Sequence, residues 1–280
     1  MWTQHLISTS RGTFEFFTMG TGSPLCITHQ YIEFNEKEYT FAQPFAENYS
    51  VYLINLKGCG NSDKTVDDKE YSMEDSVKDL EAIKEALGFA KWGVAGHSTG
   101  GMLAMLYALN FPNSLNKLII GGSCASSEYI NHPDSIYCKD NSNNARLLEI
   151  MDLLNNSSIT LEERRNLNKE WNLMSFYKKD EFDQLMKNVY LGKSMIKRLN
   201  HFTSTDIRNF DLRKELNKIS IPTYIYIGKY DSQCPLFFSQ EIAKLIPKST
   251  VSIFEQSSHN PFIEEKEKFN DFVKSTVIKK

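Results

Sequence analysis

Three residues stand out by type and position: Ser98 in Gly96-His97-Ser98-Thr99-Gly100, Asp231 in Lys229-Tyr230-Asp231, and His259 in Gln256-Ser257-Ser258-His259-Asn260-Pro261. A serine hydroxyl is a weak nucleophile until a base takes its proton, and an imidazole base needs a third group to orient it. The G-x-S-x-G spacing fits a nucleophile elbow, a strained turn between strand and helix that pushes the hydroxyl into the open. There the residues two before and two after the serine come so close that only glycine fits. Gly96 and Gly100 hold those places, and Gly101 and Ala104 keep the next helical turn thin. The helix start would aim backbone N–H groups at a developing negative charge. On its own the pattern also describes a glycine-rich turn with an idle serine. The apolar run before it and the helical stretch after it favour the reactive reading.

The base and the acid follow from order along the chain. Of His5, His29, His97, His132, His201 and His259, only the last follows the final strand. A loop after a parallel strand's carboxyl end emerges at the same sheet edge as the elbow. His97 adjoins the serine and is expected to pack away from it, and His132 and His201 fall in a surface or covering segment. Asp231 is the first carboxylate after the apolar run Thr223–Gly228; the plainer alternative is an Asx turn leading into Pro235. A rival position after Leu118–Gly122 offers Gly121, Gly122, Ser123 and Cys124, none of them a carboxylate. Two N–H donors would complete an oxyanion site, those of Thr99 and of Tyr31 in the loop after Leu25–Thr28.

Strands and helices must bring these residues together. His5–Ser8 and Thr13–Thr18 read as an antiparallel hairpin, and Leu25–Thr28, Val51–Leu56, Trp92–Ala95 and Leu118–Gly122 as further strands. Between them lie expected helices at Glu36–Ala46, at Ser72–Gly88 with Val77, Leu80, Ile83, Ala86 and Leu87 as buried stripe, and from the elbow to Asn110. The alternation predicts a mostly parallel sheet with helices on both faces. From 124 to 205 strand signals vanish and helical periods run over Ala145–Asn155, Leu161–Ser175, Asp180–Tyr190 and Lys193–His201. This is read as a helical cap insertion over the elbow, with 1–123 and 206–280 forming the core. Strands return at Thr223–Gly228 and Val251–Phe254, with helices at Pro235–Ile246 and Pro261–Ile278. The loop Lys57–Asp63 carries Gly58 and Gly60 but Asp63 where a dinucleotide fingerprint needs its third glycine, so it reads as a tight structural loop.

Composition narrows the partners. The 280 residues, 41% hydrophobic and 24% charged, are enough for a full core, and a net charge of −3 argues against nucleic acid. No apolar run approaches the roughly 18 residues of a membrane span, and the first residues lack a secretion signal. Five scattered cysteines without C-x-x-C spacing point to reduced thiols and a cytoplasmic protein rather than a disulfide framework or a zinc site.

With GHSTGG around Ser98, KGCGNSDK after the fourth strand, IGKYDSQCP around Asp231 and SSHNPF around His259, the chain resembles the α/β-hydrolase superfamily over nearly its whole length. The cap position and the GKYD…CP segment are similar to the proline iminopeptidase and small-esterase branch. That branch usually has His-Gly at the oxyanion loop, where this chain has His29-Gln30-Tyr31, so the second donor is altered. Its iminopeptidases tend to carry glycine before the nucleophile and tryptophan after it, where His97 and Thr99 stand here. Relatives that cleave carbon–halogen bonds or epoxides use an aspartate nucleophile, against which Ser98 argues. The resemblance implies a serine hydrolase of a small-molecule ester or amide, with Ser98, Asp231 and His259 catalytic and with neither metal nor organic cofactor. One alternative is an aminopeptidase that holds a substrate ammonium through Glu128, Glu162 or Glu163; another is a receptor on a hydrolase scaffold. Oligomeric state is left open.

Overall fold

Alternate residues of the inner strands face two different hydrophobic layers, and this period of two places the sheet at the centre of the molecule. Cys26, Ile54, Val94, Ile120 and Ile225 belong to one apolar cluster, while Ile27, Leu53, Ala95, Ile119 and Tyr226 belong to the other. The computed structural model describes residues 1–277 apart from Glu38 and Ser157. Along the chain come β1 (Thr3–Thr9), β2 (Gly12–Met19), β3 (Ser23–Ile27), a short β4 (Ile32–Glu33), β5 (Tyr49–Ile54), α1 (Met73–Ala86), β6 (Trp92–His97), α2 (Thr99–Asn110) and β7 (Leu115–Gly121). Then follow α3 (Asn144–Asn155), α4 (Leu161–Met174), α5 (Phe182–Leu185), a short β8 (Lys193–Ser194), α6 (Ile196–His201), β9 (Thr223–Gly228), α7 (Leu236–Leu245), β10 (Ser249–Phe254), α8 (Pro261–Glu264) and α9 (Lys266–Ser275).

The eight-stranded sheet has the order β1-β2-β5-β3-β6-β7-β9-β10. The β1–β2 hairpin is antiparallel, and β2 joins β5 antiparallel. Every other pairing in the sheet is parallel. This is the α/β-hydrolase architecture that the motif order implies. Helix α1 starts where expected: the Ser72 hydroxyl accepts from the Asp75 N–H at 3.1 Å, and Gly88 at φ +76° carries the chain away. Val77, Leu80 and Ile83 are buried as predicted, whereas Ala86 is exposed and Ala82 is buried in its place.

Four helical expectations need correction. Apart from Glu38, which lies outside the described residues, Glu36–Ala46 forms bends, turns and a 3₁₀ turn at Gln43–Glu47; Phe34, Tyr39, Phe41 and Phe45 all enter one apolar layer at spacings no single helix face provides, and Pro44 has no N–H to give. Asp180–Tyr190 is helical only over α5 and a 3₁₀ turn before it, and Asn188 at φ +66° turns the chain. Lys193–His201 begins as β8, which pairs with β4, before α6 starts. Pro261–Ile278 is divided at Glu265 (φ −128°, ψ 54°) into α8 and α9, and Ile278 lies outside the described residues. Of the apolar faces in 124–205, Leu147, Ile150 and Phe176 are buried, while Leu148 and Tyr177 are exposed.

Lys117 ties the start of β7 to the end of α9. It is 3% exposed and donates to the Thr276 carbonyl at 2.6 Å and the Tyr49 hydroxyl at 2.9 Å. Burial pushes its ammonium down to about 8 from 10.5. Between those values the unfolded chain keeps a proton that the folded chain has released, so this lysine's contribution to stability rises with pH through that window. Urea melts across it should show the wild type gaining stability relative to Lys117→Met; parallel curves for the two proteins would refute this.

Candidate active site

Ser98 sits between β6 and α2 at φ 56°, ψ −125°, a conformation that L-residues rarely adopt. The turn closes because residues 96 and 100 lack side chains. A β-carbon on Gly96 would lie 2.1 Å from the Gly100 carbonyl oxygen, and one on Gly100 would lie 2.6 Å from the Thr28 carbonyl oxygen. The serine N–H donates to the Gly121 carbonyl at 2.9 Å, and the serine carbonyl accepts from Gly101 N–H at 2.9 Å and Met102 N–H at 3.3 Å. Ser98 keeps part of its surface accessible while its neighbours His97 and Thr99 are buried.

Asp231 turns off the end of β9 and His259 lies in the loop after β10. The structure brings them into contact: His259 Nδ1 is 2.9 Å from Asp231 Oδ2 and 3.1 Å from Oδ1. A carboxylate facing Nδ1 sets the proton there and leaves the lone pair on Nε2, the tautomer a general base needs. Asp231 Oδ1 also accepts from the Gln233 and Cys234 N–H groups, both at 2.9 Å. The Asx turn and the imidazole contact are therefore made by one carboxylate at once.

His97 packs as expected. Its Nδ1 meets the Tyr226 hydroxyl at 2.9 Å, and its ring lies 4.6 Å from that of His259, centroid to centroid. This contact, with Ser98 bonded to Gly121 and Gly122 lying beside both imidazoles, makes the serine turn and the histidine loop neighbours. Burial, with the charges of His259 and His29, drives His97 well below the ordinary imidazole value. Burial, His259 and Arg198 bring His29 down to about 3.

Thr99 and Tyr31 also come together, the Thr99 hydroxyl donating to the Tyr31 hydroxyl at 3.2 Å. The Tyr31 N–H faces His29 Nδ1 at a long 3.4 Å. Gln30, where a glycine was the expectation, is fully buried, and its amide donates to the Tyr71 carbonyl at 2.6 Å. Its β-carbon is thus absorbed beneath the loop.

Around these groups Tyr31, Cys124, Tyr129, Tyr137, Phe202 and Cys234 belong to one apolar assembly. Burial pushes the hydroxyls of Tyr31, Tyr129 and Tyr137 up, yet Tyr31 and Tyr137 retain accessible surface. A cleft of about 650 Å³ borders Asp231 together with His132 and Phe237, but neither Ser98 nor His259 lines it.

The three carboxylates considered for an ammonium lie elsewhere. Glu128 pairs with Arg213 at 2.8 Å, Glu163 caps its own helix through Thr160, and Glu162 is exposed.

Two residues escaped the sequence reading. Glu264, 3% exposed at the end of α8, accepts from the Tyr177 N–H at 2.7 Å, the Lys178 N–H at 3.0 Å and the Ser258 N–H at 2.7 Å. It thereby fastens the chain after α4 to the histidine loop, where the His259 N–H also reaches the Ser175 carbonyl at 3.4 Å. Arg198 of α6 is buried against the Gln30 loop. No local pattern marks either one, because all of Arg198's partners and two of Glu264's three are scores of residues away.

A family model for the alpha/beta hydrolase fold matches residues 23–266. A proline iminopeptidase from Saccharolobus solfataricus is 30% identical over 251 residues, 82% of this chain and 77% of that one. A solved alpha/beta fold family hydrolase from Bacillus anthracis strain Sterne has 52% identity and a TM-score of 0.96, covering 99% of this chain and 100% of its own. An esterase from Exiguobacterium antarcticum shares the fold at a TM-score of 0.73 with 22% identity, covering 98% of each chain.

Two outcomes follow from the site's geometry. Because His29 titrates near 6.5 when unfolded and near 3 when folded, acidification through that window favours the unfolded chain. The 15N ring signals of His29 and His97 should stay those of neutral imidazole between about pH 8 and 5; titration of either in that range would contradict its burial. Glu264→Ala leaves three N–H groups without their acceptor and should cost on the order of 3 kcal/mol. Amide exchange should accelerate at Tyr177, Lys178 and Ser258, and unchanged protection there would rule out the fastening role.

Proposed function

The chain belongs to the α/β-hydrolase fold family, and on that premise we propose that it is a serine hydrolase cleaving a carboxylic ester or small amide through an acyl-enzyme. The observation that carries the reading is the Asp231–His259 contact at 2.9 Å beside a serine in a strained elbow. Ser98 Oγ attacks the substrate carbonyl as His259 Nε2 takes its proton. The negative charge that forms on the carbonyl oxygen is met by the N–H groups of Thr99 and Tyr31. His259 then gives the proton to the leaving group, and water, activated by the same imidazole, releases the acid. General base catalysis of this kind contributes about 10² to 10⁴ in rate, and each oxyanion donor about 3 kcal/mol.

The 124–205 segment acts as the cap over the substrate, and Tyr31 with its cluster neighbours Tyr129, Tyr137 and Phe202 supplies an aromatic, hydroxyl-bearing surface. Such a surface suits a neutral, partly apolar acyl or alcohol group. A second reading, an aminopeptidase, draws on the S. solfataricus relative. It needs a carboxylate for the substrate ammonium, and Glu128, Glu162 and Glu163 are engaged or exposed elsewhere. A receptor with little turnover had only the altered loop in its favour, and Gln30 turns its side chain to Tyr71. The scattered, unpaired cysteines fit a cytoplasmic setting.

Intact mass after exposure to a fluorophosphonate should show one adduct on the wild type and none on Ser98→Ala or His259→Ala. Short neutral esters should be turned over at least ~10-fold faster than aminoacyl esters of the same alcohol. An adduct surviving in Ser98→Ala would sink the nucleophile, and the opposite substrate order would favour the aminopeptidase.

A further inference from the structure

Arg198 is 1% exposed, and its hydrogen bonds among the described residues all go to neutral acceptors. Nε donates to the Gln30 carbonyl at 2.5 Å, Nη1 to the Lys57 carbonyl at 3.0 Å, and Nη2 to the Ser76 hydroxyl at 2.6 Å. The guanidinium lies over the Tyr71 ring at 5.7 Å, while Asp79 and Asp206 act on it only through space. A buried cation without a bonded counter-ion costs several kcal/mol. Here the fork joins three parts of the core to α6: the loop after β3, the loop after β5, and α1.

The Gln30 carbonyl and the Tyr31 N–H are two ends of one planar peptide unit, pointing in opposite directions. Holding the oxygen therefore aims the N–H. A cation on the carbonyl also draws charge from the amide and makes its N–H a stronger donor. Among the described residues that N–H meets only the long contact to His29, so it is available to a better acceptor. We propose that Arg198, from the segment covering the elbow, is a positioning residue that orients and polarises the Tyr31 N–H for the oxyanion. This rests on the acyl-enzyme reading with Tyr31 as a donor.

An oxyanion donor acts in the tetrahedral state and little in substrate binding. The test measures kcat and KM of a short ester for wild type, Arg198→Lys and Arg198→Ala, each per active site titrated with fluorophosphonate. The affinity of a trifluoromethyl ketone, which forms a tetrahedral adduct with the serine, is measured beside them. In both variants kcat should fall on the order of 10- to 100-fold, KM should stay within about twofold, and ketone affinity should fall by the same factor as kcat. Ethylguanidinium should restore part of kcat to Arg198→Ala, and ethylammonium should not. Unchanged kcat per titrated site, or a loss shared equally by KM with ketone affinity intact, overturns the role. Arg198→Lys carries the test if the alanine variant does not fold. A wild type that takes no fluorophosphonate sinks the acyl-enzyme reading itself, and the Arg198 role with it. A reactive wild type with unaffected variants sinks only the role of Arg198.

Discussion

Everything at the sheet's carboxyl edge depends on one close approach: the backbone of residue 96 against the Gly100 carbonyl. The gap leaves no room for a β-carbon. With that contact made, Ser98 is forced to φ 56° and α2 leaves β6 at the angle that seats Gly100 on Thr28. Elbow strain of this kind costs on the order of 1–3 kcal/mol and persists because the strand, the helix and the Gly121 carbonyl over-determine the turn.

The other groups reach the elbow because parallel strands deliver their following loops to one edge. β3 delivers His29, Gln30 and Tyr31; β9 delivers Asp231; β10 delivers His259. Three imidazoles then crowd together, and burial keeps two of them neutral. Of the three, His259 alone has a carboxylate on its ring nitrogen. The three side chains are of one type and differ in the groups that touch their rings.

Much of this could be read from the chain before any coordinates. The elbow was legible because its constraint is local: two glycines spaced about a serine, after an apolar run. The Asp231–His259 pairing was legible because chain order along a parallel sheet fixes which loops meet. The sheet itself came from mostly apolar runs such as Val51–Leu56 and Thr223–Gly228, though the first of these strands runs from Tyr49 and ends at Ile54. Helices set by tertiary packing were not legible. The aromatic residues of 34–45 point inward from an irregular path, and the closing helix breaks at Glu265, whose carboxylate accepts from the Gln256 N–H and the Ser257 hydroxyl. Arg198 and Glu264 were invisible for the same reason: the first reaches acceptors 122 to 168 residues away, and the second holds an N–H 87 residues away.

Glu264 joins the chain after α4 to the loop of His259, so two parts of the molecule that differ in character share one carboxylate. A segment free of such ties could change its sequence while the loop of His259 stayed as it was. Here the stretch from Ser175 to Lys178 is spliced into the backbone hydrogen bonding of the histidine loop. The segment is therefore not an interchangeable module. Grafting a foreign sequence between β7 and β9 would disturb the loop of His259 as well, and a workable graft would have to keep the seam at 175–178 intact.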